Sequence, residues 1–197
     1  MKFKYKNIGL SGVAGCGKNT VCDIIKKFLN RLDLPCNELS IARNLKEEVN
    51  ETCKKLYGID SINCSREEKG VIRPFLVSHG QIRRNLSSGR HWIDRLEKEL
   101  DPEKINIITD IRFNEYDKDE CYWIKNEING VLVHISRFNN INGKRVFIPP
   151  ANEAERENDP KVKAESDFIL NWPTEHDNNL KIFNCKKLLN WIKNIYA

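Results

Sequence analysis

Residues Gly12 to Thr20 read G-V-A-G-C-G-K-N-T, directly after the apolar run Tyr5 to Leu10 and directly before Val21-Cys22-Asp23-Ile24-Ile25. A glycine-rich turn closing in Gly-Lys, set between a strand-like and a helix-like run, is how a chain wraps main-chain amides around a phosphate chain. Gly12, Gly15 and Gly17 allow backbone angles and a close approach that a β-carbon would forbid. The N–H groups then turn inward, and the start of the next helix adds partial positive charge. Lys18 contributes a mobile full charge for the outer phosphates, with Cys16 and Asn19 completing the loop. Asn19 stands where Ser or Thr usually follows the lysine, so the hydroxyl that normally faces Mg²⁺ is absent there. Thr20, one place on, can offer a hydroxyl instead. Strand, loop, lysine and helix occur in the required order, and the expectation is a nucleotide-binding loop.

A chain of 197 residues suits one domain with a real core and a small mobile insert. A hydrophobic share of 40% excludes a disordered chain, and 31% charged residues imply a well-solvated surface. The net charge of +5 is mild and spread along the sequence. It fits an anionic small substrate at least as well as nucleic acid, whose binders carry a denser basic stripe. The 7 cysteines form no C-x-x-C pair and no Cys/His cluster, which argues for reduced thiols in a cytoplasmic setting. The N-x-S/T triplets at Asn50, Asn63 and Asn85 carry no weight in such a setting. The opening, Met1 to Lys6, has charges but no apolar stretch long enough for a signal peptide. No run approaches membrane-spanning length, so the expectation is a soluble cytoplasmic protein without membrane or nucleic-acid partners.

Strand-like runs occur at Tyr5 to Leu10, Asn37 to Ala42, Ile105 to Thr109, Val131 to Ser136 and Asp167 to Asn171. Helix-like stretches lie between them, at Lys18 to Arg31, Leu45 to Tyr57, Glu67 to Leu86, Trp92 to Leu100 and Asn114 to Glu127, with a last one from Leu180 to Tyr196. This alternation predicts an α/β fold with helices on both faces of a five-stranded parallel sheet. Two regions break it. Residues 43–100 hold far more helical pattern than a crossover needs, and residues 138–166 carry Asn, Gly, Pro and charge with little periodicity, as a loop would.

A second anchor is Ile105-Asn106-Ile107-Ile108-Thr109-Asp110, followed by Arg112. An acidic residue ending an apolar strand beside such a loop can hold Mg²⁺ directly or through water; Asp is also a good helix cap. Arg112 can reach a phosphate or neutralise Asp110. On the helical insert, Arg73 and Arg84 fall off the apolar face drawn by Ile72, Phe75, Leu76, Ile82 and Leu86, and so are expected to point away from the local core.

The loop Ser11 to Thr20 resembles the S-G-x-x-x-S-G-K-D-T loop of phage-type deoxynucleoside monophosphate kinases. Ala42-Arg43-Asn44-Leu45-Lys46-Glu47 is similar to that family's A-D-P-L-K-E, and Tyr57-Gly58-Ile59-Asp60 to its F-G-I-D. Ile72-Arg73-Pro74-Phe75-Leu76 with His79-Gly80-Gln81-Ile82-Arg83-Arg84 resembles its I-R-P-L-L-Q-x-x-G-T-x-x-R-R helix. Thr109-Asp110-Ile111-Arg112-Phe113-Asn114-Glu115 is close to its T-D-x-R-F-x-N-E, and Val133-His134-Ile135-Ser136-Arg137 to the strand before its lid. The similarity runs in order from the start to about Asn171. Asn19, Arg43 and Gln81 depart from the family's Asp, Asp and Thr.

The resemblance implies a single P-loop kinase domain, three-layer αβα, in which residues 43–100 grip a nucleoside monophosphate and residues 138–166 close as a lid. It implies ATP and Mg²⁺ as cofactors, small nucleotides as partners, and action in a host cytoplasm. In that scheme Gly12, Gly15, Cys16, Gly17, Lys18, Asn19 and Thr20 bind ATP, with Trp172 after the last strand bordering adenine or merely packing. Asp110 and Thr20 would hold the metal, while Lys18, Asp110, Arg137 and Arg145 would act on the transferring phosphoryl group. Arg43, Arg73, Arg83, Arg84 and Arg112 would hold the acceptor; Trp92 would either stack on its base or belong to the core. A kinase for another phosphorylated acceptor, like phosphomevalonate or dephospho-coenzyme A kinases, and a catalytically degenerate nucleotide-binding module are the alternatives. GTP-switch motifs D-x-x-G and N-K-x-D are absent from the sequence. The oligomeric state is open, a homodimer included.

Overall fold

Alternation along three short apolar strands sets the core. A computed structural model describes residues 5–196; residues 1–4 and 197, including most of the charged opening read for a targeting segment, lie outside the described residues. Strand β1 (Asn7–Ser11) lies between β3 (Ile105–Ile111) and β4 (Gly130–Ile141), with β2 (Cys36–Ser40) beyond β3, all parallel. Because side chains alternate, Ile8, Leu10, Ile107, Val133 and Ile135 join one apolar cluster, and Ile108 and Leu132 join another. Helix α1 (Lys18–Asn30) contributes Val21, Ile25 and Leu29 to the first cluster, while α2 (Ile41–Tyr57) opens with Ile41 in the second.

The sheet is six-stranded and mixed, which corrects the expected five-stranded parallel one. Strand β6 (Phe168–Pro173) runs parallel to β4, but the outer half of β4 turns back through β5 (Lys144–Phe147) as an antiparallel hairpin. Its cause is local. Asn142 and Gly143 connect the strands with φ of 51° and 75°, the left-handed pair that a tight two-residue hairpin turn demands. Much of the remaining expected loop is helical: α6 (Glu153–Ala164) is capped by Asn152, whose side chain accepts from the Glu155 amide.

Helix α3 (Arg66–Leu86) begins with a reciprocal Ser65–Glu68 capping box and leads to α4 (Arg90–Glu97). The helix expected at Asn114 to Glu127 shrinks to α5 (Glu120–Tyr122) and a π-helical turn at Trp123–Glu127. Carboxylates capture the preceding amides instead: Asp119 accepts from Glu115 at 2.8 Å and Glu120 from Phe113 at 3.0 Å. The last helix is divided at Cys185 into α7 (Asn178–Asn184) and α8 (Lys186–Tyr196). Among the described residues no helix is long and apolar enough to cross a membrane, and all of the cysteines are free.

The ladder between β1 and β3 is irregular at its outer end. Its pairing slips by one residue after Leu10, from Leu10↔Thr109 to Ser11↔Ile111, and the skipped Asp110 has a φ of 70°. An extra residue in a ladder bends the strand and re-aims its side chain, and Asp tolerates the left-handed region better than most residues. The slip also reverses the face of Ile111, which packs with Ile108 rather than Ile107.

Gly12 has a φ of 125°, and a β-carbon there would stand 2.2 Å from the Ile135 carbonyl oxygen. Gly12→Ala is therefore expected to lower stability by about 2 kcal/mol or more. A urea unfolding midpoint measures it.

Candidate functional site

The glycine loop is pressed from below by one aromatic ring. A β-carbon on Gly17 (φ 98°) would lie 2.3 Å from the Trp172 ring, and the Trp172 indole N–H donates to the Cys16 carbonyl at 2.9 Å. Gly15 faces open space on the other side. Helix α1 starts at Lys18 without a side-chain cap, so its first amides remain available to a ligand. The Lys18 ammonium folds back, donating to the Gly12 and Val13 carbonyls at 2.7 and 3.1 Å, and stands 3.8 Å from Asp110 Oδ1.

Asp110 is fixed from three sides. Ser40 Oγ donates to its Oδ2 at 3.1 Å and Arg112 Nη2 to its Oδ1 at 3.2 Å, with Lys18 beyond. Burial alone would raise this carboxyl, but the charges of Arg112 and Lys18 outweigh it and hold Asp110 below the ordinary carboxylate range. Arg112 also pairs with Glu155. Arg112 thus neutralises Asp110 in this structure.

These groups open on a cavity of about 510 Å³ bounded by the loop, α2, α3 and the start of α6. Gly15, Gly17, Lys18, Asn19 and Thr20 line its loop side, with Asp110 and Arg112 beside them. Lys46 from α2 and Lys69 and Arg73 from α3 line it as well. Leu45, Leu76, Trp92 and Phe113 make an apolar part of the wall. Lys46 and Lys69 were not legible as site residues: a lysine on a polar helix face reads as solvated. Burial and the neighbouring charges of Lys46 and Arg73 depress the Lys69 ammonium.

Arg84 and Trp92 also line the cavity, whereas several other expected site residues do not. Arg84 does not point away from the core; it is 2% exposed, held by Asp119 (2.8 and 3.0 Å), Glu115 and Glu120 (both 3.2 Å), with Phe113 stacked 3.7 Å from its guanidinium. The buried face of α3 follows Ile72, Leu76, Gly80 and Arg84, whereas Ile82 and Leu86, read as apolar-face residues, are exposed. Carboxylates brought from a distant segment make that burial of charge tolerable. Burial raises Glu120 to about 7; the pull of Arg84 opposes this and the charge of Asp119 adds to it.

Arg83 donates to Glu48 at 2.7 Å, and the exposed Arg43 pairs with Glu47. Neither lines the cavity, nor do Arg137 and Arg145; Arg145 lies over the Phe138 ring on the hairpin. Gly12 and Cys16 do not line the cavity either, Cys16 being fully buried. Trp172 packs under the loop rather than lining the cavity, because its ring fills the space left by Gly17. Trp92 is 2% exposed, its indole N–H directed at the Gly80 carbonyl (3.4 Å), so it is at once core and cavity wall.

Behind the cavity, Glu48 ties three helices together. It accepts from Arg83 on α3 and from Arg95 on α4 (2.8 Å), and its oxygens lie 2.8 Å from His79 and His91. Among the described residues no His, Cys, Asp and Glu group forms a metal cluster. Comparison with protein-family models and with curated protein sequences gives no match.

Burial would raise the Glu48 carboxyl, yet hydrogen bonds from His79, His91 and Arg83 overcome it and bring it down to about 2. A folded-state value below the ordinary 4.5 contributes stability that is complete above pH 4.5 and lost as pH falls towards 2. Glu48→Gln should lower the thermal midpoint at neutral pH and flatten its decline across that acid window, as calorimetry at stepped pH would record.

Proposed function

We propose that this chain is an ATP-dependent kinase of P-loop, three-layer architecture, which passes the γ-phosphoryl group to a nucleoside 5′-monophosphate. The observation that carries the reading is one cavity that gathers two groups of cations from different parts of the chain. One is Lys18, with the glycine loop and the uncapped start of α1. The other is Lys46, Lys69 and Arg73, for which no ion pair occurs among the described residues. Phosphoryl transfer needs two anions brought into line and their charge screened, rather than covalent help from the protein.

In this mechanism the loop amides and Lys18 hold the outer phosphates of ATP, Lys18 exchanging its carbonyl partners for phosphate oxygens. Thr20 offers its hydroxyl to the same anion. Lys46, Lys69 and Arg73 bind the acceptor's phosphate; the arginine fork orients it, and the two lysines supply point charge. Leu45, Leu76, Trp92 and Phe113 offer the acceptor base a flat apolar wall, which favours a nucleotide over an aliphatic phosphate. Asp110, held ionised in the same cavity as Thr20, fits Mg²⁺, a cation that prefers oxygen donors and phosphate oxygens. That ion would screen the transferred charge. Closure of the stretch around the start of α6 over the bound nucleotides would keep water from acting as acceptor.

A coupled ADP-release assay over the common ribo- and deoxyribonucleoside monophosphates tests the reading. Turnover is expected with at least one of them, and Lys18→Ala should reduce it to background; ATP consumption confined to phosphomevalonate or dephospho-coenzyme A would reject the nucleotide acceptor. Lys69→Gln should raise the acceptor KM about tenfold, the loss of one charge-assisted contact, with the ATP KM unchanged. Steady-state kinetics with each substrate varied in turn separates the two.

A further inference from the structure

Glu155 lies in the first turn of α6, yet its side chain turns away from solvent and is 6% exposed. One oxygen, Oε2, accepts from the Ala14 amide of the glycine loop at 3.1 Å and from the Ala151 amide at 2.9 Å. The other oxygen pairs with Arg112. A loop amide and a cavity guanidinium are the two kinds of donor that a phosphate oxygen seeks. In this structure a carboxylate of the chain itself takes both. Lys18 and Arg112 thereby balance Asp110 and Glu155 one for one, leaving the loop side of the cavity without surplus positive charge.

We propose that Glu155 is a built-in competitor of the nucleotide: the terminal phosphate displaces its carboxylate from the Ala14 amide and takes over Arg112. The proposal rests on the cavity being a nucleotide site, but the competition concerns any polyphosphate at the loop. Displacement is confined to the side chain and the stretch before it, because the rest of α6 is anchored. Asn158 donates to Glu115 at 2.7 Å and accepts from the Asn114 amide at 3.3 Å, and Val162 is buried in the core. The Ala151 amide, by contrast, depends on the same carboxylate as Ala14. Once Glu155 leaves, the loop side gains one net positive charge as the phosphate arrives. Arg112 is thus a positioning group on Glu155 before binding and a phosphate ligand after it.

Pyrophosphate titrated into the full chain, followed by amide hydrogen exchange in NMR spectra, tests this. The Ala14 amide should become more protected while the Ala151 amide exchanges at least about threefold faster. Glu155→Gln keeps the shape and removes the charge, and should tighten pyrophosphate binding about fivefold or more. Glu153→Gln makes the same charge change on the exposed side of α6, where Glu153 pairs with Arg156, and should leave the affinity as it was. Equal or weaker binding by Glu155→Gln, or slower exchange at Ala151, would overturn the proposal; if the variant does not fold, the exchange measurement on the unmodified chain decides. Displacement without phosphorylation of any monophosphate would keep the competitor and remove the kinase, whereas no pyrophosphate binding at all would remove both.

Discussion

A single buried guanidinium ties two parts of the cavity lining together. Arg84 on α3 reaches Asp119, Glu115 and Glu120, which all belong to the segment after β3. Glu120 in turn accepts from the Arg112 and Phe113 amides, so the same network sets the direction in which the chain leaves Asp110. Burial disfavours the charge on Arg84, but Glu120 and Asp119 more than restore it. Taking away a buried cation of this kind costs about 3–5 kcal/mol, because its carboxylates are left without a counter-charge. The network is structural, and it spares the other cations of the insert from that duty.

Charge across the cavity is divided by partner. Arg43, Arg83 and Arg95 are each engaged by a carboxylate of the helical region, and Arg112 by Asp110 and Glu155. Lys46, Lys69 and Arg73 instead repel one another, which is part of why Lys69 holds its proton less firmly than an ordinary lysine. Mutual repulsion is relieved when an anion arrives, so the arrangement stores a preference for negatively charged ligands. The loop side works differently: its cations are satisfied internally, by carbonyls for Lys18 and carboxylates for Arg112. One group attracts and the other exchanges.

The features legible in the sequence are those with short-range causes. Gly12, Gly15 and Gly17 all take positive φ, and the apolar run ending at Asp110 forms the strand expected of it. The Asn142-Gly143 hairpin was equally local, but the polar, aperiodic stretch around it reads as loop unless that dipeptide is given weight. The burial of Arg84 was not legible, since it depends on carboxylates that only the tertiary fold brings near. The same holds for Arg83, whose partner Glu48 sits on another helix. Arg73 was found by its position in a pattern; Lys69, one helical turn earlier on the same face, had no pattern to mark it.

Trp172 belongs to an edge-side strand paired with β4, yet its indole is bonded to the loop carbonyl of Cys16 and its ring touches the space of Gly17. The loop is thus packed directly on this ring. A fluorophore placed there senses every displacement of the backbone above it through its polarity and its hydrogen bond. The molecule therefore carries its own optical gauge of loop geometry, readable from emission without an attached dye once Trp92, Trp123 and Trp191 are replaced by phenylalanine.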